Sequence, residues 1–302
     1  MKRHNVTRLY IKFFDVNKDR QESKGDPIIP EATIQFKDSV PSGIEVVPTI
    51  YITTSAMEAM QLKEEEYAKK IFKRINAMCR QNGIEFKELQ LDCDWTKSTR
   101  KYFFRLCEEI KRCMDSAQTL SSTIRLHQLI QTPPPVDKGV LMVYNTGNLM
   151  EMTTDNSIFS RRDIEPYLMD NRLANYSLSL DIAYPTYGWS LVFHPYEDKY
   201  YFDRIMQRTD FSSYPNLKKI GKNLYEAISV IDFSNGSDYW DCIYEKYRVR
   251  IERPTAKEIV KVKEMIDAQL KGKRHNNILY HLDDEQLSHY TDNETDIIYS
   301  HN

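Results

Sequence analysis

Along nearly the whole chain, short apolar runs alternate with longer amphipathic stretches, and this rhythm limits the fold more than any other feature. A strand followed by a helical crossover is the order of βα units, which pack as a parallel sheet covered by helices. Eight runs read as strands: 8–15, 45–52, 86–94, 122–128, 138–144, 176–182, 247–252 and 276–282. Their β-branched and aromatic content suits buried strands. The 302 residues fit one barrel of roughly 250 residues with insertions. The expected fold is therefore α/β, a (β/α)8 TIM-type barrel spanning residues 1–302 as one domain.

The helices between the strands carry single apolar stripes. In 57–82, Tyr67, Ile71, Ile75 and Met78 recur at helical spacing, and Gly83 stops the helix. In 98–114 the stripe is Phe103, Leu106, Cys107 and Ile110. In 255–270, Thr255 and Glu258 form a capping box after Pro254. Three stretches break the rhythm. Residues 17–43 read as a polar loop and 291–302 as a frayed polar tail. Residues 184–246 exceed one crossover and read as a hairpin-rich insertion after the sixth strand.

Hydrophobic residues make up 41%, enough for a substantial core. A net charge of -2 gives no basic field for nucleic acid or a membrane surface. No apolar run has the length of a transmembrane helix. The five cysteines form no CxxC pair, so no metal site is expected, and no cofactor motif is present. Buried free thiols are the ordinary reading of such cysteines and lean towards a reducing compartment, so a cytoplasmic location stays open.

The strongest chemical signal is Gln90-Leu-Asp-Cys-Asp-Trp95. Side chains alternate across a strand, so Leu89, Leu91 and Cys93 face one way and Gln90, Asp92 and Asp94 the other. Placing three polar groups on one strand face is costly without partners, and makes sense at the carboxyl-terminal end, where barrel sites sit. The same parity puts Arg125 and His127, Asp181, and Arg248, Arg250 and Glu252 on inward faces. Asp15, Tyr144 and His281 close other strands. The expected catalytic acids are Asp92, Asp94, Asp181 and Glu252. The expected substrate contacts are Asp15, Arg125, His127, Tyr144, Tyr187, Trp189 and His281.

Each assignment has a structural counterpart. Asp92 and Asp94 also fit a pair held by Arg125 or Arg250. His127 and His281 fit hydrogen-bonded core histidines, Glu252 an ion pair with Arg250 or Arg253, and Asp181 a turn residue. The insertion holds Tyr184, Tyr187, Trp189, Tyr200, Tyr201, Phe202, Tyr214, Tyr225, Tyr239, Trp240 and Tyr244. Aromatic faces with polar tips suit sugar rings, and equally suit a small core of the insertion itself.

Five segments, Arg8–Asp15, Leu89–Trp95, Ser122–Gln128, Ala183–Trp189 and Leu279–Asp283, resemble an uncharacterised family of bacterial cell-envelope proteins. That family is similar to glycoside-hydrolase barrels, and many members begin with a lipoprotein signal. The resemblance implies a carbohydrate partner, an envelope or periplasmic location and a missing leader. The Asp92-x-Asp94 strand end also resembles that of chitinase-type glycosidases, in which a catalytic glutamate follows two positions later. Thr96 stands there in this chain. Three functions follow: a glycoside-hydrolase-like protein acting on glycans, a non-catalytic glycan-binding protein, or an envelope scaffold.

Overall fold

The computed structural model describes residues 2–19, 25–207, 209–211, 214–233 and 242–300. The chain divides into two compact units. Unit 1 comprises residues 1–142 and 172–182, and unit 2 comprises 143–171 and 183–302.

Unit 1 is built on β1 (Arg8–Lys18), β2 (Ile28–Glu31), β3 (Glu45–Ile52), β4 (Glu88–Cys93), β5 (Thr119–Arg125), β6 (Lys138–Met142) and the start of β7 (Leu180–Pro185). Their order in the sheet is β7-β6-β5-β4-β3-β1-β2. β1, β3, β4, β5 and β6 run parallel, and β2 returns antiparallel along the outer edge of β1. The result is a curled parallel half-barrel. One face of β4 is Leu89, Leu91 and Cys93, all fully buried against the helices Glu64–Gln81 and Arg100–Cys113. Ile71, Ile75, Phe103, Leu106 and Ile110 supply the helical side of this core. Glu64, Glu65 and Glu66 open the first of these helices and Arg80 closes it, matching the helix dipole. The chain leaves it at Gly83, whose φ of +64° is a left-handed conformation that lets the Ile84 N–H return to the Cys79 carbonyl at 2.9 Å.

Unit 2 contains the end of β7 and the strands β8 (Trp189–Tyr196), β9 (Lys199–Met206), β10 (Leu217–Lys219), β11 (Leu224–Ala227), β12 (Ile231–Asp232), β13 (Cys242–Ile243), β14 (Arg248–Glu252) and β15 (Asn277–Tyr280). Five of them form an antiparallel sheet in the order β10-β11-β14-β8-β9. Beside this sheet, Val192, Val249, Phe211, Ala227, Ile231 and Ile243 close a small core.

This arrangement corrects several expectations. β14, read as the seventh barrel strand, pairs antiparallel with β8 and β11 instead. Its alternation of Arg248, Arg250 and Glu252 with Val249 and Ile251 fits any two-faced strand, so parity alone cannot name its sheet. The chain thus lacks the eight successive parallel strands of a closed (β/α)8 barrel among its described residues. The antiparallel region also outgrows residues 184–246, because β14 is one of its members. Residues 292–299, read as frayed, form a helix capped by Thr291 and Glu294 in a reciprocal box.

Candidate functional site

In unit 1, the side-chain alternation of β4 brings Asp92 and Asp94 to one guanidinium. Arg125, the last residue of β5, reaches Asp92 Oδ1 at 3.0 Å and Asp94 Oδ1 at 2.5 Å. Thr123 completes the cluster: its hydroxyl donates to Asp92 Oδ1 at 2.7 Å and accepts from Arg125 Nη1 at 2.8 Å. Solvent reaches these groups unequally, since the side chain of Arg125 is 15% exposed, Asp92 24% and Asp94 54%. Burial raises the Tyr51 phenol above its ordinary value, and Asp94 and Asp92 raise it further, so Tyr51 faces the same negative charge. Thr123 shares parity with Arg125, so the alternation of this strand places both on one face.

His127 does not join this cluster from a strand face. β5 ends at Arg125, and Leu126–Ile130 is a 3-10 turn that breaks the period of two and leaves His127 exposed. Burial and Arg125 hold its imidazole below the ordinary value. Asp15 pairs with Lys12 at 3.0 Å. Asp181 lies elsewhere than expected, because its strand begins at Leu180 rather than 176 and Asp181 is the second residue. Its carboxylate meets Lys138 Nζ at 2.8 Å. Lys138 also holds Glu88 at 2.9 Å, and Glu88 pairs with Arg8 at 3.1 Å. This buried ionic layer lies at the amino ends of β1, β4 and β6. Burial works against the Lys138 charge, but Tyr10, Asp181 and Glu88 outweigh it and lift the ammonium above its ordinary value.

In unit 2, Glu252 is 1% exposed and its acceptor sites are taken. Arg250 Nε donates to Oε1 at 2.6 Å, while Trp189 Nε1 at 2.8 Å and the Ser157 hydroxyl both donate to Oε2. Arg250, also 1% exposed, donates to the Glu151 carbonyl as well. Glu252 is therefore a buried carboxylate held in an ion pair with Arg250. The turn before Trp189 needs Gly188, where a Cβ would sit 2.8 Å from the Glu252 carbonyl oxygen.

An aromatic cluster gathers in the same unit. Tyr144 and Tyr280 stack at 5.0 Å with rings 4° from parallel. Tyr187 meets Tyr144, Trp189 and Tyr280 edge-on at 6.2, 5.4 and 5.7 Å, and stacks on His281 at 5.8 Å. Its hydroxyl donates to Asn145 Oδ1 at 2.6 Å. Burial, then Tyr280 and Glu252, push the Tyr187 phenol up, so it stays a neutral donor. Tyr187 is buried whereas Tyr280 is 46% exposed, which gives the cluster a buried base and an open face. Of the aromatic residues expected in the insertion, Tyr239 and Trp240 lie outside the described residues.

No family model and no curated protein matches the chain by sequence. Solved structures do match. A chitinase from Chromobacterium violaceum is 11% identical, with 93% of this chain and 89% of that chain covered and a TM-score of 0.54. A doubly substituted glycoside hydrolase family 18 chitinase from Cycas revoluta, in complex with (GlcNAc)4, is 13% identical over 99% and 92%, with a TM-score of 0.53. The spore cortex-lytic enzyme of Bacillus cereus is 12% identical over 92% and 65%, with a TM-score of 0.50. At such identities the likeness concerns the fold: the chain is similar to chitinase-type barrels, with Thr96 two positions beyond Asp94. The Thr96 hydroxyl faces those of Ser98 and Thr99 at 2.8 and 3.2 Å, in the turn leading to the helix Arg100–Cys113.

Proposed function

We propose that this chain binds glycans without cleaving them, on a glycoside-hydrolase-like fold. The observation that carries the reading is the commitment of both strand-end carboxylates to Arg125. Both carboxylates already accept from the Arg125 guanidinium at 2.5–3.0 Å, and an acid that works on a glycosidic oxygen must be turned towards the substrate rather than tied to a cation. Thr96 offers a hydroxyl where chitinase-type sites carry a glutamate, and a hydroxyl is far too weak an acid for that task. Asp181 and Glu252, the other acids expected to take part, are engaged by Lys138 and by Arg250, Ser157 and Trp189.

Affinity for sugar would come from Tyr144, Tyr187, Trp189, Tyr280 and His281. A pyranose ring is apolar on its faces and polar at its edge, so the open ring of Tyr280, backed by Tyr144, suits one face. The neighbouring folds include a chitinase in complex with (GlcNAc)4 and a spore cortex-lytic enzyme, which points to N-acetylglucosamine-containing polymers and an envelope location. The resemblance to envelope proteins of unknown activity belongs to the same proposal. None of the described helices is long and apolar enough to cross a membrane.

A glycan array on wild type and on Tyr280→Ala tests this reading. The wild type should bind N-acetylglucosamine oligomers, and Tyr280→Ala should weaken that binding at least tenfold with an unchanged melting temperature. An array with no glycan bound by the wild type, or equal binding by the variant, would overturn it.

A further inference from the structure

The carboxyl end of the helix Ala256–Gln269 and the loop that leads from it into β15 enclose a cavity of about 890 Å³. It lies wholly within unit 2 and shares no residue with the Tyr187 cluster. Ala268, Leu270 and Gly272 give it an apolar wall. The loop can turn back beside the helix because Gly272 takes a φ of +83°, with nothing within 4 Å of where a Cβ would stand. The Lys273 N–H then returns to the Leu270 carbonyl at 2.7 Å. A buried chain of charges fixes the inner side. Lys263, 1% exposed, holds Asp267 Oδ2 at 2.6 Å, and His275 Nε2 lies 3.1 Å from Asp267 Oδ1. Beyond His275, the Asn277 amide donates to the Tyr299 and Ser300 carbonyls at 3.3 and 2.9 Å, which pins the far end of the loop.

The charge around this cavity selects its occupant. Lys271, Lys273 and Arg274 line it, against the acids Glu264 and Asp267. Lys263 compensates Asp267, so three full cations face one uncompensated carboxylate. Among the described residues, Lys271 and Arg274 have no ion-pair or hydrogen-bond partner. A helix carboxyl end carries about half a negative charge, which one cation would match, so three exceed that role. Their mutual repulsion falls when an anion joins them. Nucleic acid or an anionic membrane is met by a stripe or face of cations, whereas these line a concavity on a chain of net charge -2. The local excess of two charges matches a phosphate monoester, which carries about -1.5 to -2 at neutral pH. Arg274 offers a planar fork that pairs with two phosphate oxygens, and the lysines add point charges. Phosphate alone would leave most of the space unfilled, since the volume falls in the range of roughly 300–1,000 Å³ of pockets that take small organic molecules.

We infer that this cavity binds a small phosphorylated organic molecule, with Lys271, Lys273 and Arg274 on the phosphate and Ala268 and Leu270 against its organic body. The pinned loop and the buried Lys263–Asp267–His275 chain hold the cavity open before the ligand arrives, so little ordering is needed on binding.

Calorimetric titration of the full chain with phenyl phosphate, glucose 6-phosphate and adenosine monophosphate tests the inference, with inorganic phosphate and succinate as comparisons. At least one of the three esters should bind wild type with a Kd below about 1 mM, and more tightly than inorganic phosphate or succinate. Lys271→Ala/Arg274→Ala should weaken that binding at least tenfold. Lys257→Ala/Lys261→Ala removes the same charge from exposed positions of the same helix outside the cavity, and should leave it unchanged. Ala268→Trp keeps every charge and fills the cavity, so it should lose the binding too, and circular dichroism checks the folding of each variant. The inference is overturned if wild type binds none of the esters, or if succinate or inorganic phosphate binds as tightly. Equal losses in the two double variants, or unchanged binding by Ala268→Trp, would overturn it as well.

Discussion

Both units set a carboxylate against an arginine at a strand end, but solvent reaches only one of the two. In unit 2, Glu252 and Arg250 are each 1% exposed, and the remaining acceptor sites of the glutamate are filled by Trp189 and Ser157. In unit 1, Arg125 bridges Asp92 and Asp94, and the outer aspartate is 54% exposed. A buried pair is costly to assemble and costly to break, because loss of one partner strands the other in a low dielectric. A half-exposed pair costs little either way. The first holds the β8–β14 region together, and the second is a charged surface that a ligand can reach.

The largest effect should come from Glu252→Gln, which keeps the volume and removes the charge. Arg250 is then left uncompensated, and stability should fall by about 3–5 kcal/mol in denaturant unfolding. A loss below about 1 kcal/mol would mean that water reaches Arg250 after all, and the contrast would vanish.

An intermediate effect is expected at Lys138, which joins Glu88 and Asp181. Lys138→Met should cost about 1–3 kcal/mol by leaving buried carboxylates short of a partner. The raised pKa of this ammonium also fixes a pH dependence. In the folded state Lys138 keeps its proton to higher pH than in the unfolded state, so its contribution is complete below the ordinary lysine value of about 10.5. That contribution drains away as pH rises from there towards the folded value. Melting curves between pH 8 and 12 should show the decline in wild type and a shallower one in the variant.

The smallest effect belongs to Asp94→Asn. With half of its side chain in water, it should change stability by less than about 0.5 kcal/mol. A drop of several degrees in melting temperature would make the Arg125 bridge a structural device like that of Glu252.

Much of unit 1 was legible because its signals are local. The run 45–52 is β3 to the residue, and the Leu89/Leu91/Cys93 parity correctly placed Asp92 and Asp94 on one face. What failed depended partly on partners distant in sequence and partly on local boundaries that periodicity does not mark. The alternation in Arg248–Glu252 looks alike in a parallel and an antiparallel sheet, so β14 went to the wrong one. His127 was lost where β5 gave way to a 3-10 turn, which parity does not foresee. Asp181 was misplaced by a strand boundary. The helix Asp292–Tyr299 was missed although Thr291 and Glu294 repeat the spacing recognised at Thr255 and Glu258. At the site, the acids and two candidate arginines were readable, but the choice of Arg125 over Arg250 needed β4 and β5 side by side.

The most direct test of glycan binding without cleavage is a single incubation of wild type with (GlcNAc)4, followed by calorimetry for binding and mass spectrometry for products. The account predicts that the tetrasaccharide is bound and recovered whole after prolonged incubation. Shorter oligosaccharides that form with wild type and fail to form with Asp92→Asn would contradict it, and would return Asp92 and Asp94 to a catalytic role.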